Sequence, residues 1–274
     1  MPSSAATTGW IRRALRPILT TAQTGEGLMT AAQRIIPSTP RLADRVGRLD
    51  WAGIGAALDA RGFATTPALL EADECRALAA LYEAEAPFRS RVVMQRHNFG
   101  RGEYKYFRYP LPAPIEELRQ AIYPRLAPIA NRWHERLGET NRFPPELRQY
   151  LAQCHAAGQS RPTPLLLKYE AEDYNCLHQD LYGTQVFPLQ MTLILDEPGV
   201  AFEGGEFLIV EQRPRAQSKG EVVALRRGAA VIFAVHHRPV QGTRGWYRVN
   251  LRHGVSRLRA GRRHSLGIIF HDAS

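Results

Sequence analysis

Beyond Pro164 the chain becomes a succession of short apolar runs stopped by turns: "PLLLKYE", "FPLQMTLILDEPG", "GGEFLIVEQ", "EVVALRRGAAVIFAV", "WYRVNLRHGVS" and "RHSLGIIFHD". Runs of this length, closely spaced and broken by Gly and Pro, read as strands joined by short connections. There is no room between them for the crossover helices that parallel strands require. The expectation is an antiparallel barrel or jelly roll.

Helices come first. "LDWAGIGAALDARG" reads as a helix ending at Gly62, followed by a short strand in "FATTPALL". Cys75, Leu78, Ala79 and Tyr82 recur at helical spacing, which puts Cys75 on a buried face, away from chemistry. From Ile115 to Leu137, Leu118, Ile122, Leu126, Ile129 and Trp133 recur every three or four residues. This predicts a long amphipathic helix, bent or divided near Pro124 and Pro128. Residues 1–49 read as a basic N-terminal extension, either a helical arm or a stretch with transit-peptide composition, and 50–274 as one domain. A secretory signal is disfavoured because Arg12, Arg13 and Arg16 interrupt any apolar core.

No apolar run approaches the roughly 18 residues of a membrane span. Three irregularly spaced cysteines, Cys75, Cys154 and Cys176, make no disulfide framework, so a reducing cytoplasm is expected. The formal charge is +10, mostly from arginine. From Arg213 through Arg263, thirteen Arg and Lys face a single acid, Glu221. Such a run would attract phosphates and makes nucleic acid the expected partner; the alternative is a solvated basic face. In "MQRHNFGRGEYKYFRYPLP" aromatic and basic residues interleave, which suits stacking on bases while holding a backbone. Arg96, His97, Phe99, Tyr104 and Tyr106 are therefore candidate substrate contacts, on a lid or on a hairpin packed against the sheet.

"NCLHQDLYG" carries the chemistry. Side chains alternate across a strand, so His178 and Asp180 are expected on one face, able to grip one cation, with Cys176 sharing that face and packing there. A third ligand must come from elsewhere. Two histidines and one carboxylate leave open positions on a non-haem Fe(II) ion, while zinc is the competing metal. Downstream stand His236, His237, His253, His264 and His271. His253 is singled out because Arg263 follows ten positions on (263 − 253 = 10) and opens an Arg-x-Ser triplet with Ser265. His236 and His237, ending an apolar strand, are rivals; His237 is expected at the pocket rim, among the substrate contacts.

The ordered set His178-x-Asp180, His253, Arg263-x-Ser265 resembles the iron- and 2-oxoglutarate-dependent dioxygenases, with prolyl-hydroxylase-like spacing, over roughly residues 50 to 274. The resemblance implies a double-stranded β-helix with supporting N-terminal helices and the ligands His178, Asp180 and His253 for Fe(II). It further implies O2 and 2-oxoglutarate as cosubstrates, with the far carboxylate of 2-oxoglutarate on Arg263, assisted by Ser265 and Tyr169. A planar guanidinium suits that end because it forms two parallel charge-assisted hydrogen bonds. The "FEGGEFLIV" segment resembles the family's Gly-Gly-Glu hairpin. Segments including "RHNFGRGEYKYF" and "HHRPVQGTRGWYRVNLRHGVSRLRAGRRHSLGIIFHDA" resemble a prokaryotic oxygenase family predicted to remove alkyl lesions from nucleic acid. The arginine spacing departs from AlkB-type repair enzymes, which leaves two alternatives open: hydroxylation of a protein or amino-acid side chain, and a catalytically silent barrel that binds nucleic acid.

Overall fold

The computed structural model describes residues 41–274, so residues 1–40 of the expected extension lie outside the described part. The chain runs α1 (Leu42–Gly47), α2 (Trp51–Arg61), β1 (Phe63–Thr65), α3 (Ala72–Ala80), β2 (Phe88–Val93), β3 (Gly100–Arg101), β4 (Glu103–Phe107), α4 (Ala113–Arg136) and α5 (Leu147–Ala156). Strands follow: β5 (Leu165–Glu170), β6 (Tyr174–His178), β7 (Leu189–Ile194), β8 (Phe202–Gly204), β9 (Phe207–Gln212), β10 (Lys219–Val223), β11 (Ala230–Ala234), β12 (His237–Gly242), β13 (Gly245–Val255) and β14 (Leu258–Ile268). No described helix is long and apolar enough to cross a membrane.

The named strands form two sheets whose pairings are antiparallel. The larger has the order β1-β11-β7-β14-β5-β4-β2, with β8 also on β14; the smaller has β10-β9-β13-β6-β3, with β12 also on β13. β11, the apolar run "AVIFA", is buried throughout. Its residues share one core with Leu189, Met191 and Leu193 of β7 and with the apolar stripe of α4.

α4 is a single 24-residue helix despite Pro124 and Pro128, so the expected division does not occur. Each proline in a helix interior costs about 3 kcal/mol. Ile115, Leu118, Ile122, Leu126, Ile129 and Trp133 are all buried, and each such burial stabilises by roughly 1.5–3 kcal/mol, which outweighs two prolines. Both prolines lie on the exposed stripe, where carbonyls deprived of an intrahelical donor can bond water. α1 packs Leu42 and Val46 into the same core, although it falls within the expected extension.

α2 starts and stops as its sequence dictates. The Asp50 side chain accepts from the Gly53 N–H at 2.9 Å, and Gly62, at φ 79°, closes the helix in the left-handed region. Asp50→Ala should cost about 1 kcal/mol. A urea titration should show a lower midpoint with an unchanged slope; an unchanged midpoint would mean that the cap contributes nothing.

The aromatic and basic segment before α4 is a hairpin, not a detached lid. β4 pairs with β5 (Tyr104 with Leu167, Tyr106 with Leu165), extending the larger sheet, while β3 pairs with β6 of the smaller one. The connection from β2 to β3, including Phe99, thus passes from the larger sheet to the smaller one.

Candidate metal centre and its cavity

The two histidines meet because β13 and β6 are neighbours in register, with His253 directly opposite His178. Their rings are 4.2 Å apart. β6 ends at His178, so strict alternation does not extend to Asp180; the chain turns after the strand and buries that carboxylate. The ligand atoms still converge. His178 Nε2 lies 3.6 Å from Asp180 Oδ1, and His253 Nε2 lies 3.3 Å from Asp180 Oδ2. This is the one cluster of three or more His, Cys, Asp or Glu among the described residues suited to a metal.

Protonation suits the same role. His178 Nδ1 lies 2.8 Å from the Cys176 carbonyl, so Nδ1 carries the proton and Nε2 keeps its lone pair. Burial, with the neighbouring His178, lowers the His253 pKa against the opposing pull of the Asp180 carboxylate. Burial alone would raise the Asp180 carboxyl, but contact with His253, the nearby His178 and the Gln190 amide outweigh it and hold it well below the usual carboxylate range. His253 Nδ1 has no partner among the described residues. Packing fixes its ring instead, stacked on Phe207 and tilted against Phe233.

The opposite end of the site is built on the larger sheet. Arg263 on β14 pairs with Tyr169 on β5, and Ser265 pairs with Leu167. Arg263 is 1% exposed, and it donates from Nη1 to Ser265 Oγ at 3.2 Å. Its Nε and Nη2 and the Tyr169 hydroxyl have no partner among the described residues. Burial pushes the guanidinium's pKa down, and burial, opposed by Arg263, raises Tyr169 to about 12. A buried, half-satisfied guanidinium is costly unless an anion completes it. Gly205 makes room: a Cβ there would lie 2.6 Å from Leu258 and 3.1 Å from Arg263, at a φ of 61°. The Gly-Gly turn therefore fits both backbone and arginine.

A cavity of about 230 Å³ joins the two ends, bounded by His178, Asp180, His253, Tyr169, Arg263 and Ser265. Leu165, Leu167, Met191, Phe207 and Val255 give it an apolar wall. The donor set and the orphaned guanidinium together fit a metal ion at one end and a carboxylate at the other.

The expected substrate contacts separate. Phe99 and Tyr104 line the cavity. Phe99 is 48% exposed and stacks on His97, centroids 5.3 Å apart; Arg96 is exposed beside them. Tyr106 is buried; its hydroxyl lies 3.2 Å from that of Tyr182, behind the wall. His237 is not at the rim: it is buried, with Nε2 3.7 Å from Glu139, because β12 turns it toward the loop after α4. Cys176 is exposed rather than buried in a core. Sequence reasoning passed over Tyr182 and Gln190. The Tyr182 hydroxyl donates to Asp180 Oδ1 at 2.8 Å, and Gln190 Nε2 donates to Oδ2 at 2.7 Å.

The basic run is largely neutralised in space. Arg213, Lys219, Arg227, Arg238, Arg248, Arg257, Arg259 and Arg262, eight of the thirteen, each lie within 4.0 Å of a carboxylate. Most of those acids come from other segments. Local sequence charge thus overstates the field at this surface.

Residues 102–273 match the Oxygenase-NA family model, described as an oxygenase catalysing oxidative methylation of damaged DNA. Two Mycobacterium tuberculosis proteins, the uncharacterized proteins MT2286 and Rv2227, are each 47% identical to this chain over 196 residues, which is 70% of this chain and 84% of the relative. Among solved structures, a Trichoplax adhaerens prolyl hydroxylase in complex with a hypoxia inducible factor peptide fragment matches with a TM-score of 0.50 and 13% identity. The match covers 85% of this chain and 93% of that one. At that identity the likeness concerns the fold alone.

Proposed function

The chain belongs to the Oxygenase-NA family, and from that premise we propose that it is an Fe(II)- and 2-oxoglutarate-dependent dioxygenase of double-stranded β-helix fold that demethylates alkylated nucleic acid. The observation that carries the chemistry is one cavity with His178, Asp180 and His253 at one end and the unsatisfied Arg263 guanidinium at the other. When bound, Fe(II) and 2-oxoglutarate supply activation of O2 for hydroxylation of a C–H bond, with succinate and CO2 as co-products.

The residues of this chain do the rest. His178 and His253 would each offer Nε2 and Asp180 an anionic oxygen, a donor set that suits a ferrous ion with further positions for its cosubstrates. Arg263 and Ser265 would hold the far carboxylate through charge-assisted hydrogen bonds. Tyr104, Leu167, Phe207 and Val255 keep bulk water from the space between. Phe99, exposed and stacked on His97, offers a platform for a base at the mouth. O2 delivers oxygen rather than carbon, so the direction chosen here is removal of a methyl group. An N–CH3 carbon becomes N–CH2OH, its C–N bond breaks, formaldehyde leaves, and the ring nitrogen regains a proton.

The test is a panel of N-methylated DNA and RNA oligonucleotides incubated with enzyme, Fe(II), ascorbate and 2-oxoglutarate. At least one methylated base should lose its methyl group with equimolar formaldehyde and succinate. Succinate without loss of any methyl group would overturn the nucleic-acid assignment. The neutralised basic run gives hydroxylation of a protein or amino-acid side chain a place as the second reading, favoured by weak, salt-insensitive binding to oligonucleotides.

A further inference from the structure

Gln190 is the polar side chain at the centre that neither the metal ligands nor the Arg263 end accounts for. It stands on β7 of the larger sheet and reaches across to Asp180 and to His253 of the smaller one. It is 4% exposed. Its Nε2 lies 2.7 Å from Asp180 Oδ2 and 3.3 Å from His253 Nε2, so its amide touches two of the three ligand groups. The amide is oriented by that contact: the reverse flip would set its oxygen against the Asp180 carboxylate, acceptor against acceptor.

An NH2 group has two hydrogens. One serves Asp180 Oδ2. The other faces His253 Nε2, an acceptor only while that nitrogen keeps its lone pair; a metal at this nitrogen takes the lone pair and leaves the N–H without a partner. A buried donor beside a cationic centre, in a cavity whose far end carries Arg263, is suited to an anionic oxygen arriving next to the metal. We propose that Gln190 positions the cosubstrate by donating a hydrogen bond to the metal-end carboxylate of the 2-oxo acid, so that Gln190 and Arg263 hold the two ends of one dicarboxylate. This rests on the 2-oxoglutarate reading above.

The experiment is calorimetric titration of 2-oxoglutarate, and separately of 2-oxovalerate, into protein saturated with Mn(II), for the parent, Gln190→Leu and Gln190→Glu. 2-Oxovalerate keeps the 2-oxo acid end and lacks the far carboxylate. Loss of a hydrogen bond to a charged group predicts an affinity lower by about 10- to 150-fold in Gln190→Leu, by the same factor for both ligands. Gln190→Glu preserves shape but removes the donors and adds a like charge, so it should bind both at least as weakly as the leucine variant. A space-filling role predicts instead that Gln190→Leu, an apolar side chain of similar size, binds both ligands as the parent does. Mn(II) affinity and thermal unfolding are measured in parallel. Keto-acid affinities within twofold of the parent, with or without a change in Mn(II) affinity, would overturn the proposal while leaving the cosubstrate site intact. Failure of the parent itself to bind 2-oxoglutarate would instead remove the reading on which it rests.

Discussion

His253→Ala is expected to abolish Fe(II) binding at micromolar metal and to lower succinate formation by at least about 10³-fold. Removing a partner of a metal ligand already costs 10- to 100-fold in metal affinity or activity, and removing a ligand must cost more. The side chain is buried between Phe207 and Phe233, so truncation also opens a hole and destabilises the fold. His178→Ala separates the two effects. His178 is 33% exposed at its side chain, so its loss should leave unfolding within about 1 kcal/mol of the parent while removing iron binding just as completely. Anaerobic equilibrium dialysis with Fe(II), read beside a urea titration, checks both. If either variant retains stoichiometric iron and turnover, the triad is not the metal site.

Arg263→Leu should act in opposite directions on ligand binding and on folding. Truncating one partner of a buried charge pair costs about 2–5 kcal/mol, or some 30-fold to several thousand-fold in affinity for 2-oxoglutarate. In the free protein the same arginine is buried with two nitrogens unpartnered among the described residues, a desolvation that an apolar side chain avoids. The ligand-free variant should therefore unfold at the same temperature as the parent or higher, while 2-oxoglutarate no longer raises that temperature. Differential scanning calorimetry with and without the ligand reads both. A variant that is less stable without ligand yet still shifted by 2-oxoglutarate would assign Arg263 to structure rather than binding.

Local pattern carried much of this to the reader of the sequence. β5, β7, β11 and β14 are apolar runs whose length and turns announce strands, and the Arg263-x-Ser265 alternation places both side chains on one face of β14. His253 could be chosen as the partner of His178 from its spacing to Arg263, and the pairing of β6 with β13 brings the two together. What failed was nonlocal. Tyr104 pairs with Leu167, across a whole helical region, so nothing near the hairpin announces that it extends the larger sheet. The basic run looked unopposed because Glu139, Glu172 and Glu197, which neutralise part of it, come from other segments. Gln190 and Tyr182 acquire meaning only through Asp180. α5 is a different case: Leu147, Tyr150 and Cys154, all buried, carry a helical signal that was present and passed over. In α4 the two prolines do not divide the helix, because both stand on its exposed stripe.

The most direct measurement is an anaerobic titration of the parent protein with Fe(II) and 2-oxoglutarate, followed by visible absorption and iron analysis. One iron per chain should bind, and a weak charge-transfer band should rise only when metal and keto acid are both present, saturating at one equivalent of each. If 2-oxoglutarate binds equally well without metal, or iron binds stoichiometrically and no band forms, then the cavity does not chelate a keto acid against His178, Asp180 and His253.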